Sequence, residues 1–394
     1  MHSFSTVQAL RRRARVRGIL VIATLAMSSA SALAAGPFAY LPSHDTSINK
    51  LTVVDLPNKT ASAPITVDLN GDTTGTTTVF FGVALSRATG MLFISDDGHT
   101  ESVFQIDTSN NSTVKEYFVG DNPRGMATDP SGKHVYVAQF NGTGVSIIDT
   151  SKTGSAAVTQ VDFSNLSGLA FAKPYDVKLN PAGTFAYVTD ASVGQRLCRF
   201  STVTPPASVH DADCVAVGAD PNAQTANPNA LAVSPDGTRV YVVNHSDNSI
   251  SVVDTMQVNP VSHVPVLVVL RTFSLGFASP NGIAINLSGK RGYVGTGLGH
   301  ILSLDLRAAE NTLQNPNPVV HDLNDPAVFS VQGMAISPDG TRLLAADADA
   351  DKLHFINIVN DVDTYDTSVG VSGGPVALGE FTARDGVFAG SFEN

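Results

Sequence analysis

Short runs of hydrophobic residues alternate with polar turns along almost the whole chain, and they recur in one order. A small-residue turn ending in glycine is followed by a hydrophobic run, a polar hairpin, and a second hydrophobic run that usually closes in Asp-Thr. The clearest copy is SPDGTRVYVVNHSDNSISVVDT, residues 234–255. These runs are short and rich in β-branched residues, and none keeps a 3.6-residue period, so the pattern predicts β-strands.

Each copy of the repeat contributes four predicted strands, a to d in chain order. Strand a precedes the glycine turn, strands b and c flank the polar hairpin, and a looser strand d follows. The copies recur at intervals of 42 to 54 residues, measured between their turn glycines: Gly90, Gly132, Gly183, Gly237, Gly289, Gly340 and Gly386. Four-stranded antiparallel units of this length form the blades of β-propellers. The sequence therefore predicts an all-β, seven-bladed β-propeller.

The two ends of the chain are expected to close the ring. FAYLP (38–42), LTVVD (51–55) and ITVDL (65–69) supply strands b, c and d of one blade. PVALGEF (375–381) supplies its missing strand a, and VFAGSF (387–392) is a second candidate for strand b. A closing blade shared by the N- and C-termini removes free sheet edges. Which segment takes position b stays open.

Residues 1–34 have the features of a cleaved signal peptide. Five arginines between residues 11 and 17 precede the apolar run Gly18 to Met27, and Ala32-Leu33-Ala34 fits a cleavage site. The apolar run is shorter than the roughly 20 residues that a spanning helix needs, so no membrane span is expected after cleavage. We expect a periplasmic or secreted protein whose residues 35–394 form a single domain. The adjoining arginines leave a twin-arginine export route open.

The net charge limits the possible binding partners, and the two cysteines predict a covalent link. Removal of the leader takes the formal net charge from −11 to −16, because the leader holds five arginines and no acid. An acidic chain without a basic run excludes nucleic-acid binding of the electrostatic kind. Cys198 and Cys214 fall on adjacent strands c and d of one repeat, and in an exported protein such a pair predicts a disulfide. The alternatives, a metal pair or a reactive thiol, lack a CxxC spacing or a nearby histidine.

The strings YVTD, YVVN and YVAQ, together with GDNPRGMA, SPDGT and VSIIDT, resemble the YVTN-repeat β-propeller family, which is grouped with the lactonase-like seven-bladed propellers. The resemblance covers essentially all of the chain after residue 34. It implies the fold, whereas the family's functions range over binding proteins, cell-surface proteins, subunits of quinone-linked dehydrogenases and lactone hydrolases. No C-x-x-C-H motif is present, so no haem is predicted.

The Asp-Thr ends and the turn glycines recur in the copies, so they are expected to stabilise the blades. The candidate ligand site is therefore sought at positions where the copies differ. In a propeller the b–c hairpins and the d-to-a crossovers share one face. A first ring there, at the strand b ends, comprises Ser43, Asp96, Gln139, Asp190, Asn244, Thr296 and Asp347. A second ring, after the crossover proline position, comprises Phe81, Arg124, Tyr175, Asn229, Asn281, Gln332 and Val376. Both rings are expected to rim the central channel.

The mixture of carboxylate, amide, guanidinium and aromatic groups suits a small polar ligand or a protein or peptide partner. The predicted ligand-binding residues are Asp96, Arg124, Tyr175, Asp190, Asn229, Asn244, Asn281, Gln332 and Asp347. The alternative is that these side chains only hydrogen-bond to neighbouring blades and trapped water.

A lactone or ester hydrolase would use the same funnel. His245 would be its base, with Asp190 or Asn229 across the channel, Arg124 would stabilise an oxyanion, and Glu380 would act as an acid. The four histidines of the b–c loops form a second candidate set: His44, His99, His245 and His300. No G-x-S-x-G motif accompanies them.

Calcium is the one cofactor kept as a candidate. Asp347, Asp349 and Asp351 resemble the start of a calcium loop, although Lys352 and Ile358 stand where an EF-hand has Gly and Glu. A solvated turn is the alternative at that place. Three further oxygen ligands could converge in the funnel: Asp96, Asp190 and Asn229.

The first interpretation is a non-enzymatic exported propeller that binds a ligand or partner at this face. A lactonase-like hydrolase is the second, and a subunit of a periplasmic dehydrogenase complex is the third.

Overall fold

A computed structural model describes residues 37–44, 49–67, 79–98, 101–142, 144–166, 173–210, 213–220, 225–260, 265–310, 318–323, 328–359 and 362–379. These residues form seven sheets, arranged as the blades of a seven-bladed β-propeller, in which four antiparallel strands make up each blade. The predicted fold class is therefore confirmed. Each blade follows the order a-b-c-d from the central channel outward.

The first three blades along the ring follow the N-terminal sheet. That sheet, blade 7, comprises β1 (Phe38–Pro42), β2 (Lys50–Asp55), β3 (Thr60–Ala61) and β4 (Ile65–Thr66). Blade 1 comprises β5 (Phe80–Ser86), β6 (Met91–Asp96), β7 (Ser102–Asp107) and β8 (Ser112–Phe118). Blade 2 comprises β9 (Pro123–Thr128), β10 (His134–Gln139), β11 (Gly144–Asp149) and β12 (Val158–Asp162). Blade 3 comprises β13 (Pro174–Leu179), β14 (Phe185–Asp190), β15 (Arg196–Ser201) and β16 (Cys214–Ala216).

Three further blades complete the ring. Blade 4 comprises β17 (Pro228–Val233), β18 (Arg239–Asn244), β19 (Ser249–Val258) and β20 (Pro265–Ser274). Blade 5 comprises β21 (Pro280–Ile285), β22 (Arg291–Thr296), β23 (Ile301–Asp305) and β24 (Val319–Asp322). Blade 6 comprises β25 (Val331–Ile336), β26 (Arg342–Asp347), β27 (Lys352–Val359) and β28 (Val362–Gly370). Outside the sheets lie a 3₁₀ turn, Gly154–Ala157, and a short helix, α1 (Leu306–Glu310). Neither of these two helices, nor any other in the described ranges, could cross a membrane.

Glycine turns between strands a and b stack on one another around the ring. Six of them have φ between 66° and 73°, a conformation that glycine adopts without steric cost. They also face the preceding blade: a Cβ added to Gly183 would lie 2.4 Å from Cδ of Pro130. The Asp-Thr ends hold the same turns, because the Thr255 hydroxyl donates to the carbonyl of Gly237 at 2.8 Å. The recurring letters of the repeat are thus scaffold, as expected.

The strand b tyrosines fill the interfaces between blades. Five of them are nearly or fully buried: Tyr40, Tyr136, Tyr187, Tyr241 and Tyr293. The hydroxyl of Tyr241 donates to Glu310 in the next blade at 2.6 Å, and that of Tyr293 donates to Asp363 at 2.8 Å. Each of these two bonds joins successive blades, which explains why the repeat keeps tyrosine on strand b.

Both termini take part in closing the ring, as predicted. β1 pairs with β2, so FAYLP occupies position b of blade 7. The C-terminal segment enters as the missing inner strand: Pro375 forms a bridge with Ser43, and the N–H of Val376 donates to Pro42. It then crosses to blade 1, where β29 (Leu378–Gly379) pairs in parallel with β5. VFAGSF lies outside the described residues.

Blade 3 carries a covalent link. Cys198 on β15 and Cys214 on β16 stand opposite each other in the antiparallel register and form the predicted disulfide. β16 is only three residues long, so the link fastens an outer strand that makes few ladder bonds.

Candidate functional site

The first ring lies inside the blades rather than on the channel rim. All seven of its residues are at most 2% exposed: Ser43, Asp96, Gln139, Asp190, Asn244, Thr296 and Asp347. The Oδ1 atom of Asp190 accepts the backbone N–H of Lys173 on its own crossover at 2.8 Å. Asp96 and Asp347 hold their crossovers in the same way. The expectation that this ring faces the channel is corrected, since its side chains bind the backbone of their own blades.

The amides of the first ring are also used internally. Nε2 of Gln139 donates to Ser146 on the neighbouring strand at 2.7 Å. Nδ2 of Asn244 donates to the hydroxyls of Ser249 and Ser251, both at 3.0 Å. These contacts fix strand b to strand c at the ends of the hairpins of blades 2 and 4.

Part of the second ring joins neighbouring blades. Nδ2 of Asn229 donates to the carbonyl of Pro280 in the next blade at 3.4 Å. Asn281 donates to Val331 in the same manner, also at 3.4 Å. Val376 is buried, and Gln332 donates to Ser330 at 3.0 Å. At these positions the structure agrees with the alternative interpretation, in which the side chains contact neighbouring parts of the protein rather than a ligand.

The rest of the second ring meets in one cluster at the mouth of the channel. We define the Arg124 cluster as Phe81, Asp97, Arg124, Phe140 and Tyr175. The Cζ atom of Arg124 lies 4.8 Å from the ring centroid of Phe81, 3.6 Å from that of Phe140 and 4.8 Å from that of Tyr175. Contacts of this kind between a guanidinium and aromatic faces are attractive. The rings also meet edge to face, with Phe81 and Phe140 each within 5.7 Å of Tyr175.

Asp97 supplies the negative charge of the Arg124 cluster. Its Oδ2 atom accepts Nε of Arg124 at 3.1 Å, and its side chain is 10% exposed. Its Oδ1 atom is buried and has no hydrogen-bond partner of good geometry within the described part of the chain. The side-chain amide of Asn122 lies beside the carboxylate, donates to the backbone carbonyl of Asp97 at 2.7 Å and acts to lower the pKa of Asp97. Burial raises the pKa of Asp97, an effect that the charge of Arg124 opposes. Burial likewise raises the pKa of Tyr175.

The repeat pattern identifies Arg124 and Tyr175 but not Asp97 and Phe140, which also belong to this cluster. Both missed residues stand one position after a first-ring residue, Asp96 and Gln139 respectively. At the end of a strand, successive side chains point to opposite sides, so this next position reaches the channel when the ring residue turns into the blade. Applying the repeat alignment to that position would have identified both.

The loop histidines do not form one group. Nδ1 of His44 lies 3.0 Å from the carbonyl of Phe80, and Nδ1 of His245 lies 3.0 Å from that of Pro280, so both tie one blade to the next. His300 instead pairs with Asp322 at 2.9 Å. His99 lies outside the described residues.

The residues proposed for hydrolysis are not assembled. Asp190 is fully buried, and besides Lys173 it accepts the N–H and the hydroxyl of Ser192. Arg124 is held by Asp97 and the aromatic rings, and His245 is held by Pro280. Glu380 lies outside the described residues. Within the described ranges, these side chains are engaged in separate blades.

Two of the three calcium candidates, Asp347 and Asp351, are likewise engaged by the protein, whereas Asp349 is exposed in the hairpin turn between them. Asp347 accepts backbone N–H groups and lies 3.1 Å from Nε2 of the buried His354, which lies 3.0 Å from the Tyr365 hydroxyl. Hydrogen bonds lower the pKa of Asp347 in spite of burial. Asp351 accepts the N–H of Gly374 at 2.5 Å. In the described ranges, no three His, Cys, Asp or Glu side chains gather closely enough to hold a metal ion.

Comparison with known proteins places the chain by fold. No family model matches it, and no curated protein matches it. Solved structures do match. A protein of unknown function from Desulfotomaculum acetoxidans is 14% identical, covers 88% of this chain and 99% of its own, and has a TM-score of 0.65. The periplasmic gluconolactonase of Pseudomonas aeruginosa is 14% identical, with 86% and 98% covered and a TM-score of 0.63.

Hydrazine synthase of Kuenenia stuttgartiensis is a third match, 17% identical, with 87% of this chain and 99% of that chain covered and a TM-score of 0.59. Similarity at this level of identity shows a shared propeller and no shared chemistry. The YVTN repeat remains a resemblance of the sequence.

Proposed function

We propose that this propeller is an exported binding protein that holds its ligand at the Arg124 cluster. The ligand is an organic molecule, or an exposed peptide segment, with an N–H donor for Asp97. A flat or apolar group next to that donor would stack on Phe81 and Phe140. A donor is preferred because Asp97 is a carboxylate, and its Oδ1 atom can accept a further hydrogen bond.

The Oδ1 atom of Asp97, which has no partner of good geometry among the described residues, is the observation that carries this proposal. A buried acceptor without a partner costs about 1–3 kcal/mol, and native proteins keep few of them. A ligand donor that reaches this oxygen would recover that cost. The aromatic rings around it add stacking area that loses little side-chain entropy on binding.

Binding is favoured over hydrolysis by the state of the candidate catalytic residues. A general base must reach the proton it abstracts, whereas Asp190 is fully buried and accepts backbone donors. An oxyanion needs donors aimed at it, whereas Arg124 is stacked among three rings. The lactonase-like and dehydrogenase-subunit interpretations stay predictions.

Calorimetry and thermal-shift measurements on the mature chain test the proposal. The probes are phenethylamine, which carries a donor next to a ring, and N-acetylphenethylamine and toluene as weaker and donor-free comparisons. We expect phenethylamine to bind best, and Asp97→Asn and Phe140→Leu each to weaken it at least tenfold. Asp121→Asn, an exposed carboxylate on the same crossover, is the matched control and should bind as the native protein does.

Equal binding by native protein and Asp97→Asn would contradict this site. Acid release from γ-butyrolactone or gluconolactone, lost in His245→Gln, would favour the hydrolase instead. Export is tested separately: the periplasmic or secreted protein should begin at Ala35 by N-terminal sequencing.

A further inference from the structure

The opposite mouth of the channel, on the face of the glycine turns, holds a cavity that we call the turn-face cavity. It measures about 480 Å³ and lies between the inner strands of blades 1, 2 and 3, where β5, β9 and β13 run into their glycine turns. This volume falls in the range of small-molecule sites, roughly 300–1,000 Å³. The Arg124 cluster belongs to the other face, so the two features are independent.

The walls of this cavity are largely apolar, with one ammonium group inside. The accessible apolar surface comes from Ala127, Leu179, Pro130 and Pro181. Lys178 supplies the positive charge of the wall, and the exposed Arg87 adds a second positive charge at the rim. Asp129, at the rim, is already engaged, since it accepts the N–H of Lys133 and pairs with His134. The cavity therefore combines an apolar body with a cationic centre.

The repeat shows that Lys178 and its partner Asp176 are exceptional. Their side chains occupy the positions two and four residues after the crossover proline position. In the other six blades the first of these positions carries Gly82, Gly125, Ala230, Gly282, Gly333 and Ala377. The second carries Ala84, Ala127, Ala232, Ala284, Ala335 and Gly379. Only blade 3 places charged side chains at these two levels of the channel.

The fold itself does not require this pair. Six blades form with glycine or alanine at both positions, and a buried ion pair is often no more stabilising than the apolar residues that could replace it. Asp176 is 1% exposed, and burial raises its pKa. Blade 3 thus buries a carboxylate where the other blades have glycine or alanine, and this burial costs desolvation energy. We interpret the pair as serving ligand binding rather than the fold.

The hydrogen bonds leave Lys178 able to take one more acceptor. Nζ donates to Oδ1 of Asp176 at 2.5 Å and to the carbonyl of Val177 at 3.2 Å, so its bonds to described residues use two of the three donors of an ammonium. The Asp176 carboxylate also accepts the N–H groups of Val177 and of Leu231 in blade 4, and it does not line the cavity, so it faces Lys178 and the blades rather than a ligand. Lys178 also borders a narrow cavity of about 20 Å³ deeper in the channel, so it forms the partition between the two spaces.

We propose that the turn-face cavity binds a small organic carboxylate, whose head group accepts from Lys178 and whose apolar body lies against Ala127, Leu179 and Pro181. Asp176 positions the ammonium and does not contact the ligand. The site is separate from the Arg124 cluster, and either can fail without the other.

Titration calorimetry on the mature chain tests this site with hexanoate and benzoate as probes. Hexanamide and hexylamine have the same length as hexanoate and carry a neutral or cationic head. We expect hexanoate to bind at least tenfold more tightly than either. The matched variant is Asp176→Ala with Lys178→Ala, which gives blade 3 the residues of blade 4 and leaves no unpaired charge. It should fold and lose at least tenfold in hexanoate affinity.

Two further variants separate the cavity from general charge effects. Ala127→Leu fills the cavity while leaving Lys178 in place, and it should weaken hexanoate at least tenfold. Lys133→Met removes an exposed ammonium from the same face and should bind as the native protein does. Unchanged hexanoate binding in the double variant, equal binding of hexanamide, or no binding of either carboxylate would each overturn the proposal.

Discussion

At the residue scale, the repeat separates side chains that build blades from side chains that are free to differ. Gly183 illustrates the first kind: it combines a φ of 66° with a turn pressed against Pro130 of the preceding blade. Both constraints come from the stacking of successive turns. Glycine at this position is therefore required for packing as well as for backbone conformation.

Replacing Gly183 by alanine should destabilise the protein more than the same change at Gly276. The two glycines have φ of 66° and 76°, so each alanine costs about 1–2 kcal/mol for the left-handed conformation. Only Gly183 adds a clash, because nothing lies within 4 Å of a Cβ at Gly276. Overpacking contributes about 1–3 kcal/mol more. Urea unfolding of the two variants measures the difference, and equal losses would contradict the stacking explanation.

Part of the candidate site could be predicted from single residues. Arg124 and Tyr175 were identified because the second ring breaks the pattern of the copies. The first ring was misjudged, because a carboxylate such as Asp190 binds backbone N–H groups or a ligand with the same oxygens, and sequence does not show which is nearer. Asp176 and Lys178 were visible in the aligned strand a positions, where every other copy has a small residue. Comparing the copies at strand a therefore identifies candidate residues on the channel wall, as it does at the second ring.

At the element scale, the length of a strand decides how much it depends on other links. β16 has three residues, whereas β20, the corresponding strand of blade 4, has ten. The disulfide between Cys198 and Cys214 compensates for the short ladder. The sequence predicted this pairing because the repeat alignment placed both cysteines on adjacent strands, and the structure confirms it.

Removing the disulfide should lower the stability of the propeller. The cysteines are 16 residues apart, and closing a loop of this size stabilises by about 3 kcal/mol in the chain-entropy model. We expect Cys198→Ser with Cys214→Ser to lower the melting temperature by about 5 °C. Reductant should lower the melting temperature of the native protein and leave that of the double variant unchanged. A reductant effect in the variant would point to another cause.

At the scale of the whole molecule, the ring closes through contacts that repeat from blade to blade. The sequence predicted seven blades and a closing blade shared by both termini, since the strand pattern and turn spacing are local signals. It did not predict that β29 crosses to pair with β5 of blade 1. Nor did it predict the tyrosine bonds between blades, because those depend on which surface of one blade meets which surface of the next.

The interblade tyrosines predict how the ring responds to alkaline pH. Burial, and to a smaller extent the charge of Asp129, raises the pKa of Tyr136 from its ordinary value of 10.0 to about 12. Burial chiefly raises the pKa of Tyr40, Tyr187 and Tyr241 as well. A folded-state pKa above the unfolded value contributes stability that is complete below pH 10 and is lost as pH rises toward 12.

We therefore expect the tyrosine contribution to the free energy of unfolding to stay constant from pH 8 to about 9.5. The free energy of unfolding should then fall steeply between about pH 10 and 12. The chain has eight tyrosines and no tryptophan, so absorbance at about 295 nm follows phenolate formation without interference. The native protein should ionise most of its tyrosines only as it unfolds, in one step. In Tyr136→Phe the melting temperature should fall less between pH 9 and pH 11.5 than in the native protein. A full tyrosine titration centred near pH 10 with the fold intact would show that the tyrosines are open to solvent and do not hold the blades together.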